Sequence, residues 1–170
     1  MEPNKMKRFL QQYIQELLTL RVLLSYGQII PCSPGEVAEI EKSYGLTLPD
    51  PYREFLLTMG KGAGVLFSGD DCFYPELLTL THWAREVIQE ESGLNLPNGA
   101  FVFSTHQGEE FLFFDTQEAE NTAIYHYGEE TREIRKISDS FQDWLAQGLE
   151  ERQKIVAEYG VEFYERCHKD

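Results

Sequence analysis

Cysteine and histidine, the residues with the most versatile chemistry, are few in this sequence and far apart. The three cysteines are Cys32, Cys72 and Cys167. Because they are odd in number and form no Cys-x-x-Cys pair, they predict free thiols in a reducing compartment and indicate neither a zinc site nor a disulfide framework. The histidines His82, His106 and His126 lie on three different predicted elements, so only the fold could unite them as ligands. We therefore predict no bound metal and no cofactor.

Other catalytic patterns are also missing. The glycine-rich segment 60–64 has the composition of a phosphate-binding loop, but it follows a predicted helix and Lys61 precedes most of its glycines, whereas a P-loop places Gly-Lys-Ser/Thr between a strand and a helix. No Gly-x-Ser-x-Gly elbow is present. Cys72 is flanked by Phe73 and Tyr74, which is typical of a small buried apolar residue and not of a nucleophile. We predict that the protein is not an enzyme.

Carboxylates dominate the charged residues. Asp and Glu number 29 against 15 Lys and Arg, which gives a net charge of −14. Such a charge repels nucleic acid and anionic membrane surfaces, and it attracts a basic protein partner. Solubility alone is the alternative explanation of the acidity. Three pairs adjoin predicted strands and are the candidate partner-binding residues: Asp70, Asp71, Glu109, Glu110, Glu129 and Glu130.

Length and composition indicate a globular protein. The chain has 170 residues, 42% hydrophobic and 13% aromatic, which suits one domain over residues 1–170. No apolar stretch approaches the roughly 20 residues of a membrane span, and the N-terminus lacks the apolar region of a signal peptide. We therefore expect a soluble cytoplasmic protein.

Helix signals occupy both ends of the chain. A stripe that includes Met6, Leu10 and Tyr13 predicts a helix over residues 5–25, which we expect to pack on this protein's own domain. A capping box from Ser33 to Glu36 begins a second helix, and Asp50 is the predicted N-cap of a third. Further helices are predicted over residues 81–92, from Ser138 or Asp139 onward, and around residues 155–163. Their apolar faces predict that Trp83 and Trp144 lie in the core.

The middle of the chain has the pattern of a β-meander. Aromatic and β-branched runs predict strands at residues 101–103, 111–114, 123–127 and 132–137, with a turn at Gln107-Gly108. A further strand is possible at residues 65–67, followed by an acidic turn at Asp70-Asp71. Helices at both ends and a meander between them predict an α+β fold with a central antiparallel sheet of about four to six strands.

Two stretches carry a family resemblance. The first contains a short helix followed by Tyr44-Gly45-Leu46-x-Leu48-Pro49 and then Tyr52-Arg53-x-Phe55-Leu56. The second contains the turn His106-Gln107-Gly108, aromatic strands that end at Asp115, and Ser140-Phe141-x-x-Trp144-Leu145. Together they resemble the SUKH superfamily of Smi/Knr-type domains, which occur in bacterial immunity proteins and in a fungal cell-wall regulator. The match covers about residues 30–149 and leaves the helices of residues 1–27 and 150–170 as additions.

The resemblance implies an α+β domain with a protein-binding role and no catalytic machinery. We expect a bacterial immunity protein that neutralises a toxin by direct binding. Such toxins are often nucleases, and nuclease toxins are usually basic. The alternative is a regulatory or scaffolding module with an endogenous protein partner, and an enzyme whose site forms only in three dimensions is a third hypothesis. The resemblance transfers no binding residue, and both a monomer and a dimer are compatible with the sequence.

Overall fold

The computed structural model describes residues 3–19, 28–64, 67, 69–118 and 122–159. Within these ranges the fold is α+β, as predicted. The helices are α1 (Pro3–Thr19), α2 (Pro34–Tyr44), α3 (Asp50–Met59), α4 (Leu80–Ser92) and α5 (Phe141–Tyr159), and a 3-10 turn spans Glu76–Leu78. The strands are β1 (Ile29–Ile30), β2 (Gly62–Ala63), β3 (Asp70–Asp71), β4 (Ala100–His106), β5 (Glu110–Asp115), β6 (Ile124–Gly128) and β7 (Glu133–Ser138). None of these helices is long and apolar enough to span a bilayer.

The larger sheet is an antiparallel meander. Its five strands lie in the order β3-β4-β5-β6-β7, so each strand pairs with its neighbours in sequence. The four strands predicted from the aromatic runs are confirmed as β4 to β7. The turn between β4 and β5 has left-handed backbone at Gln107 (φ 51°) and Gly108 (φ 80°). Glycine tolerates that conformation without the steric cost of a Cβ atom.

The connection from α2 to α3 is fixed by polar contacts. The predicted capping box is present: the Glu36 amide donates to Ser33 Oγ at 3.2 Å, and the Ser33 amide donates to Glu36 Oε2 at 2.7 Å. At the far end of α2, Glu41 Oε1 accepts from the Leu48 amide at 2.9 Å and lies 3.3 Å from the Arg53 guanidinium. One carboxylate thus joins the extended connector to the first turn of α3.

The core is built from aromatic rings between α3, α5 and the sheet. Tyr52 lies within 5.1–5.8 Å, centroid to centroid, of five other rings: Phe55, Phe101, Phe103, Phe114 and Phe141. Edge-to-face and offset arrangements of this kind add to the free energy of burial. Tyr52 and Phe55 therefore set α3 against the sheet.

The helix α1 packs on the same core, as predicted. Met6, Leu10 and Tyr13 are 0–2% exposed, and the helix contacts α3 and α5. The remaining part of the predicted stripe, residues 20–25, lies outside the described residues. The helix is therefore an integral part of the packing.

Several predicted boundaries were wrong. Asp70-Asp71 is a strand paired with β4 and not a free turn, because the two residues align with His106 and Thr105. The predicted cap Asp50 lies inside α3, since the Pro49 carbonyl accepts from the amides of both Tyr52 and Arg53. The β2 strand precedes the segment 65–67, of which residues 65 and 66 lie outside the described residues.

The C-terminal helix also differs from its prediction. The helix α5 is continuous from Phe141 to Tyr159, where two separate helices were expected. Its cap is Ser140, whose Oγ accepts from the Asp143 amide at 3.0 Å, and neither Ser138 nor Asp139 takes that role. Residues 160–170 lie outside the described residues.

The prediction that Trp83 lies in the core was wrong. Trp83 is 42% exposed, because it lies in the first turn of α4 and beside the β4–β5 turn. There the indole packs edge-on against Phe111 at 5.4 Å and over Gly108, where a Cβ atom would lie 2.9 Å from the ring. Gly108 is therefore required by this close approach as well as by its backbone conformation.

Candidate functional site

One face of the large sheet carries both apolar and acidic side chains beyond the part that the helices cover. Near α3 and α5 this face is filled by the rings of Phe101, Phe103 and Phe114. Further along β4 and β5, His106 and Glu110 have side chains that are 49% and 57% exposed. Ile137 on β7, which is 42% exposed, lines a cavity together with Asp70 and His106. This open half of the sheet is the candidate site.

The register of the strands produces a row of polar residues across the open half. Asp70 on β3 aligns with His106 on β4, and His106 aligns with Glu110 on β5. His106 Nδ1 donates to Asp70 Oδ1 at 2.7 Å, because an ionised carboxylate only accepts. The hydroxyl of Ser104 reaches the other oxygen of Asp70 at the long distance of 3.5 Å. The second oxygen of Asp70 therefore keeps capacity for a stronger donor.

Four of the six predicted carboxylates meet in one depression of about 650 Å³ at the end of the sheet. They come from the two turns that end there, between β4 and β5 and between β6 and β7. The Glu129 amide donates to the Glu109 carbonyl at 2.8 Å, and this bond holds the turns side by side. We call this surface the acidic depression; its carboxylates are Glu109, Glu110, Glu129 and Glu130. His126 and Arg132 also line it, and His126 Nε2 lies 3.5 Å from Glu110 Oε2.

The remaining two predicted carboxylates, those of Asp70 and Asp71, lie on opposite faces of the sheet. Asp70 lines a smaller cavity of about 330 Å³ together with Ser104, His106, Glu110 and Leu112, and is thus on the same face as the acidic depression. Asp71 is the next residue along β3 and aligns with Thr105, so its side chain belongs to the opposite face. Five of the six carboxylates therefore share a face, and Asp71 does not.

A groove lies beside this row, between the open half of the sheet and α5. Its volume is about 580 Å³, and we call it the aromatic groove. Its apolar lining includes Phe67, Ile137 and Trp144, and its carboxylates are Asp70 and Glu151. The Trp144 indole stacks on Phe67 at 5.5 Å with an interplanar angle of 17°, and meets Phe103 edge-on at 5.2 Å. Trp144 packs against the core as predicted, but it also borders this groove.

Sequence reasoning missed Ile137 and the groove. The signal for Ile137 was weak, because an isoleucine in a predicted strand ordinarily points into a core. In the structure the pairing of β6 with β7 shifts between Ile124 and Tyr125, and Ile137 is the residue skipped by the register. An irregularity of this kind redirects a side chain.

Within the part of the chain that the structure describes, the nucleophilic and metal-ligating residues form no alternative site; Cys167 lies outside that part. Cys72 is 3% exposed, and burial together with the charges of Asp70 and Asp71 raises the pKa of its thiol. Burial also raises the pKa of Cys32 to about 11. The ring of His82, on α4, lies 4.9 Å from that of Tyr44 at an interplanar angle of 38°, whereas His106 lies on β4. Among the described residues, no group of three or more His, Cys, Asp or Glu side chains is arranged to hold a metal ion.

The glycine-rich segment 60–64 is used in packing. Gly62 pairs with Ile30 in the two-stranded sheet, and the Lys61 amide donates to the Ile30 carbonyl at 2.9 Å. A Cβ atom at position 60 would lie 2.6 Å from Cys32 Sγ. The close approach of neighbouring backbone and side chains explains these glycines without a bound phosphate.

Comparison with known proteins gives a family match across the region that holds the site. The family described as SMI1 / KNR4 family (SUKH-1) matches residues 31–147, which is more than half of the chain. The matched range includes β3 to β7 and the beginning of α5, and leaves α1 outside. The comparison with curated proteins returned no match.

Proposed function

This chain belongs to the SMI1/KNR4 family (SUKH-1), and from that premise we propose that it is a non-enzymatic protein-binding module of the cytoplasm. In its most specific form, the proposal is that this module is a bacterial immunity protein that neutralises a basic toxin by direct binding. The toxin is held one to one on the open half of the sheet. The protein uses no metal or cofactor in this role.

The observation that carries the proposal is the convergence of carboxylates on one face. Glu109, Glu110, Glu129 and Glu130 share the acidic depression, and Asp70 lies beside it on the same face. The side chain of Glu110 is 57% exposed, so its charge acts through solvent on an approaching molecule. Clustered charge of one sign raises the association rate of an oppositely charged partner. This arrangement favours a role for the acidity beyond solubility.

The proposal is tested with the protein encoded beside this one in the genome. An immunity protein forms a 1:1 complex with the toxin domain of the neighbouring gene and restores growth of cells that express that toxin. Mass photometry or sedimentation measures the complex, and colony counts measure the protection. If no neighbouring product binds and an endogenous regulator co-purifies instead, the regulatory alternative replaces immunity.

The acidic depression gives a kinetic prediction. Changing Glu109→Lys together with Glu129→Lys should lower the association rate with the basic toxin domain about tenfold in low salt, because long-range attraction becomes repulsion. The difference should shrink at high salt, where the Debye length falls to about 3 Å at 1 M. Stopped-flow or surface plasmon resonance measures the rate.

The matched control reverses two exposed carboxylates of α4, Glu86→Lys with Glu90→Lys, and so makes the same change in net charge. We expect a smaller change in rate from the control, since α4 lies outside the acidic depression. Equal effects from both variants would show that only total charge matters. An unchanged rate in both would assign the acidity to solubility.

A further inference from the structure

The aromatic groove presents apolar side chains beside the open half of the sheet. Among the described residues, five large hydrophobic residues are exposed, and one of them is Ile137. It borders the aromatic groove together with the partly buried rings of Phe67 and Trp144. Concave apolar surface with a few polar groups is typical of a binding site. The charge of the groove favours a cationic ligand, because its polar groups include two carboxylates, Asp70 and Glu151.

The arrangement of these groups suits a guanidinium ion. Arginine is planar, stacks its guanidinium on aromatic rings and donates hydrogen bonds in a fork to a carboxylate, whereas the compact ammonium of lysine does not stack. Asp70 is held in place by His106 Nδ1 at 2.7 Å on one oxygen, and its other oxygen has Ser104 Oγ at 3.5 Å. A positioned carboxylate with a weakly used oxygen is a suitable acceptor.

The groove is also continuous with the acidic depression. Asp70 and His106 line both the aromatic groove and the smaller cavity next to it, and Glu110 lines both that cavity and the depression. A basic segment that is drawn to the depression therefore reaches the groove along one face. Charge governs the association rate in such an arrangement, and desolvated contacts govern the dissociation rate.

We propose that the aromatic groove is the anchoring site for an arginine-bearing segment of the protein partner. The arginine lies against Ile137 and Trp144, and its guanidinium is bound by Asp70 with Glu151 at the rim. This assignment rests on the proposed protein-binding function, and it adds the chemistry of the contact. Trp144 and Ile137 are then the apolar anchors, while the acidic depression steers the partner.

The two tryptophans of the chain, Trp83 and Trp144, allow a direct test. In a Trp83→Phe variant the remaining tryptophan reports on the groove, and in a Trp144→Phe variant the remaining one reports on α4. The probes are hexa-arginine and hexa-lysine peptides, which carry equal charge. We expect hexa-arginine to change the Trp144 emission and to bind at least about tenfold more tightly than hexa-lysine, with little change in Trp83 emission.

Two adjacent aspartates supply the matched control. In the Trp83→Phe background, Asp70→Asn should weaken the binding of hexa-arginine about tenfold, because a charge-assisted hydrogen bond to the guanidinium is lost. The side-chain amide oxygen of the variant still accepts from His106, so the local structure is kept. Asp71→Asn makes the same change in charge on the opposite face and should leave the affinity nearly unchanged. Glu151→Gln on the exposed surface of α5 should weaken binding less than Asp70→Asn does. Thermal unfolding establishes that each variant is folded.

The outcomes separate this proposal from the proposed function. If both peptides bind with equal, salt-dependent affinity and the Trp144 emission does not change, the acidic depression attracts basic peptides but the groove assignment is wrong. If Trp144 emission instead changes with protein concentration in the absence of peptide, a second copy of the chain occupies the groove and the assignment is likewise wrong. Equal losses from Asp70→Asn and Asp71→Asn would also overturn it. If the toxin domain does not bind but hexa-arginine still binds selectively, the proposed immunity role is wrong and the groove assignment is supported.

Discussion

Replacing Phe55 with alanine is expected to lower the free energy of unfolding by about 3–5 kcal/mol. Phe55 is 3% exposed on α3, and its ring lies 5.4 Å from Phe141, 5.7 Å from Tyr52 and 6.0 Å from Phe67. Truncation removes these contacts and leaves a cavity that rigid aromatic neighbours refill only in part. Urea unfolding followed by circular dichroism measures the change, which is a large fraction of the roughly 5–15 kcal/mol typical of a domain.

The control for this variant is Arg53→Ala on the same helix. The Arg53 side chain is 41% exposed and pairs with Glu41 at 3.3 Å, so its loss should change stability by at most about 1 kcal/mol. A Phe55→Ala protein whose unfolding midpoint matches that of Arg53→Ala would contradict the assignment of Phe55 to the core.

The parts of the fold that the sequence predicted are those determined by local chemistry. The capping box at Ser33 and Glu36 lies within four residues, and its two hydrogen bonds form where the pattern indicated. The strands β4 to β7 follow from aromatic runs, and the turn at Gln107-Gly108 follows from the glycine. In each case neighbours in sequence make the contacts that decide the structure.

The parts that it did not predict depend on partners far away in sequence. Asp70 and Asp71 are polar and adjacent, a pattern typical of a turn, and only pairing with β4 makes them a strand. That pairing also divides them between opposite faces, which removes Asp71 from the candidate site. Trp83 has the periodicity of a core residue, yet the position of α4 over the β4–β5 turn leaves it 42% exposed.

The candidate site was partly predictable for the same reason. The three carboxylate pairs beside predicted strands were the candidate binding residues, and four of these six carboxylates share the acidic depression because the two turns are joined by the Glu129–Glu109 backbone bond. The aromatic groove was not foreseen. It depends on Ile137, which the β6–β7 register skips, and on the placement of α5, which puts Trp144 and Asp70 in one groove.

Deleting residues 1–27 is expected to destabilise the protein severely and to promote aggregation. The deletion removes α1, whose Met6 and Leu10 alone account for about 3–6 kcal/mol of apolar burial. It also uncovers apolar surface on α3 and α5, where Phe9 and Tyr13 of α1 line a cavity with Leu149. The truncated protein should unfold at a lower temperature, bind a hydrophobic dye and elute as larger species in size-exclusion chromatography.

Point variants on neighbouring residues distinguish the packing of α1 from the effects of a shortened chain. Leu10→Ala should lower the free energy of unfolding by about 2–5 kcal/mol, since Leu10 is fully buried. Gln11→Ala, on the exposed side of α1, should leave that free energy nearly unchanged. If the truncated protein stays monomeric and melts at the temperature of the full chain, α1 contributes nothing to the domain. If the truncation destabilises the protein but Leu10→Ala does not, the stabilisation comes from residues other than the buried stripe. The expected pattern, with both Leu10→Ala and the deletion destabilising, makes α1 a structural part of the domain although it lies outside the family match at residues 31–147.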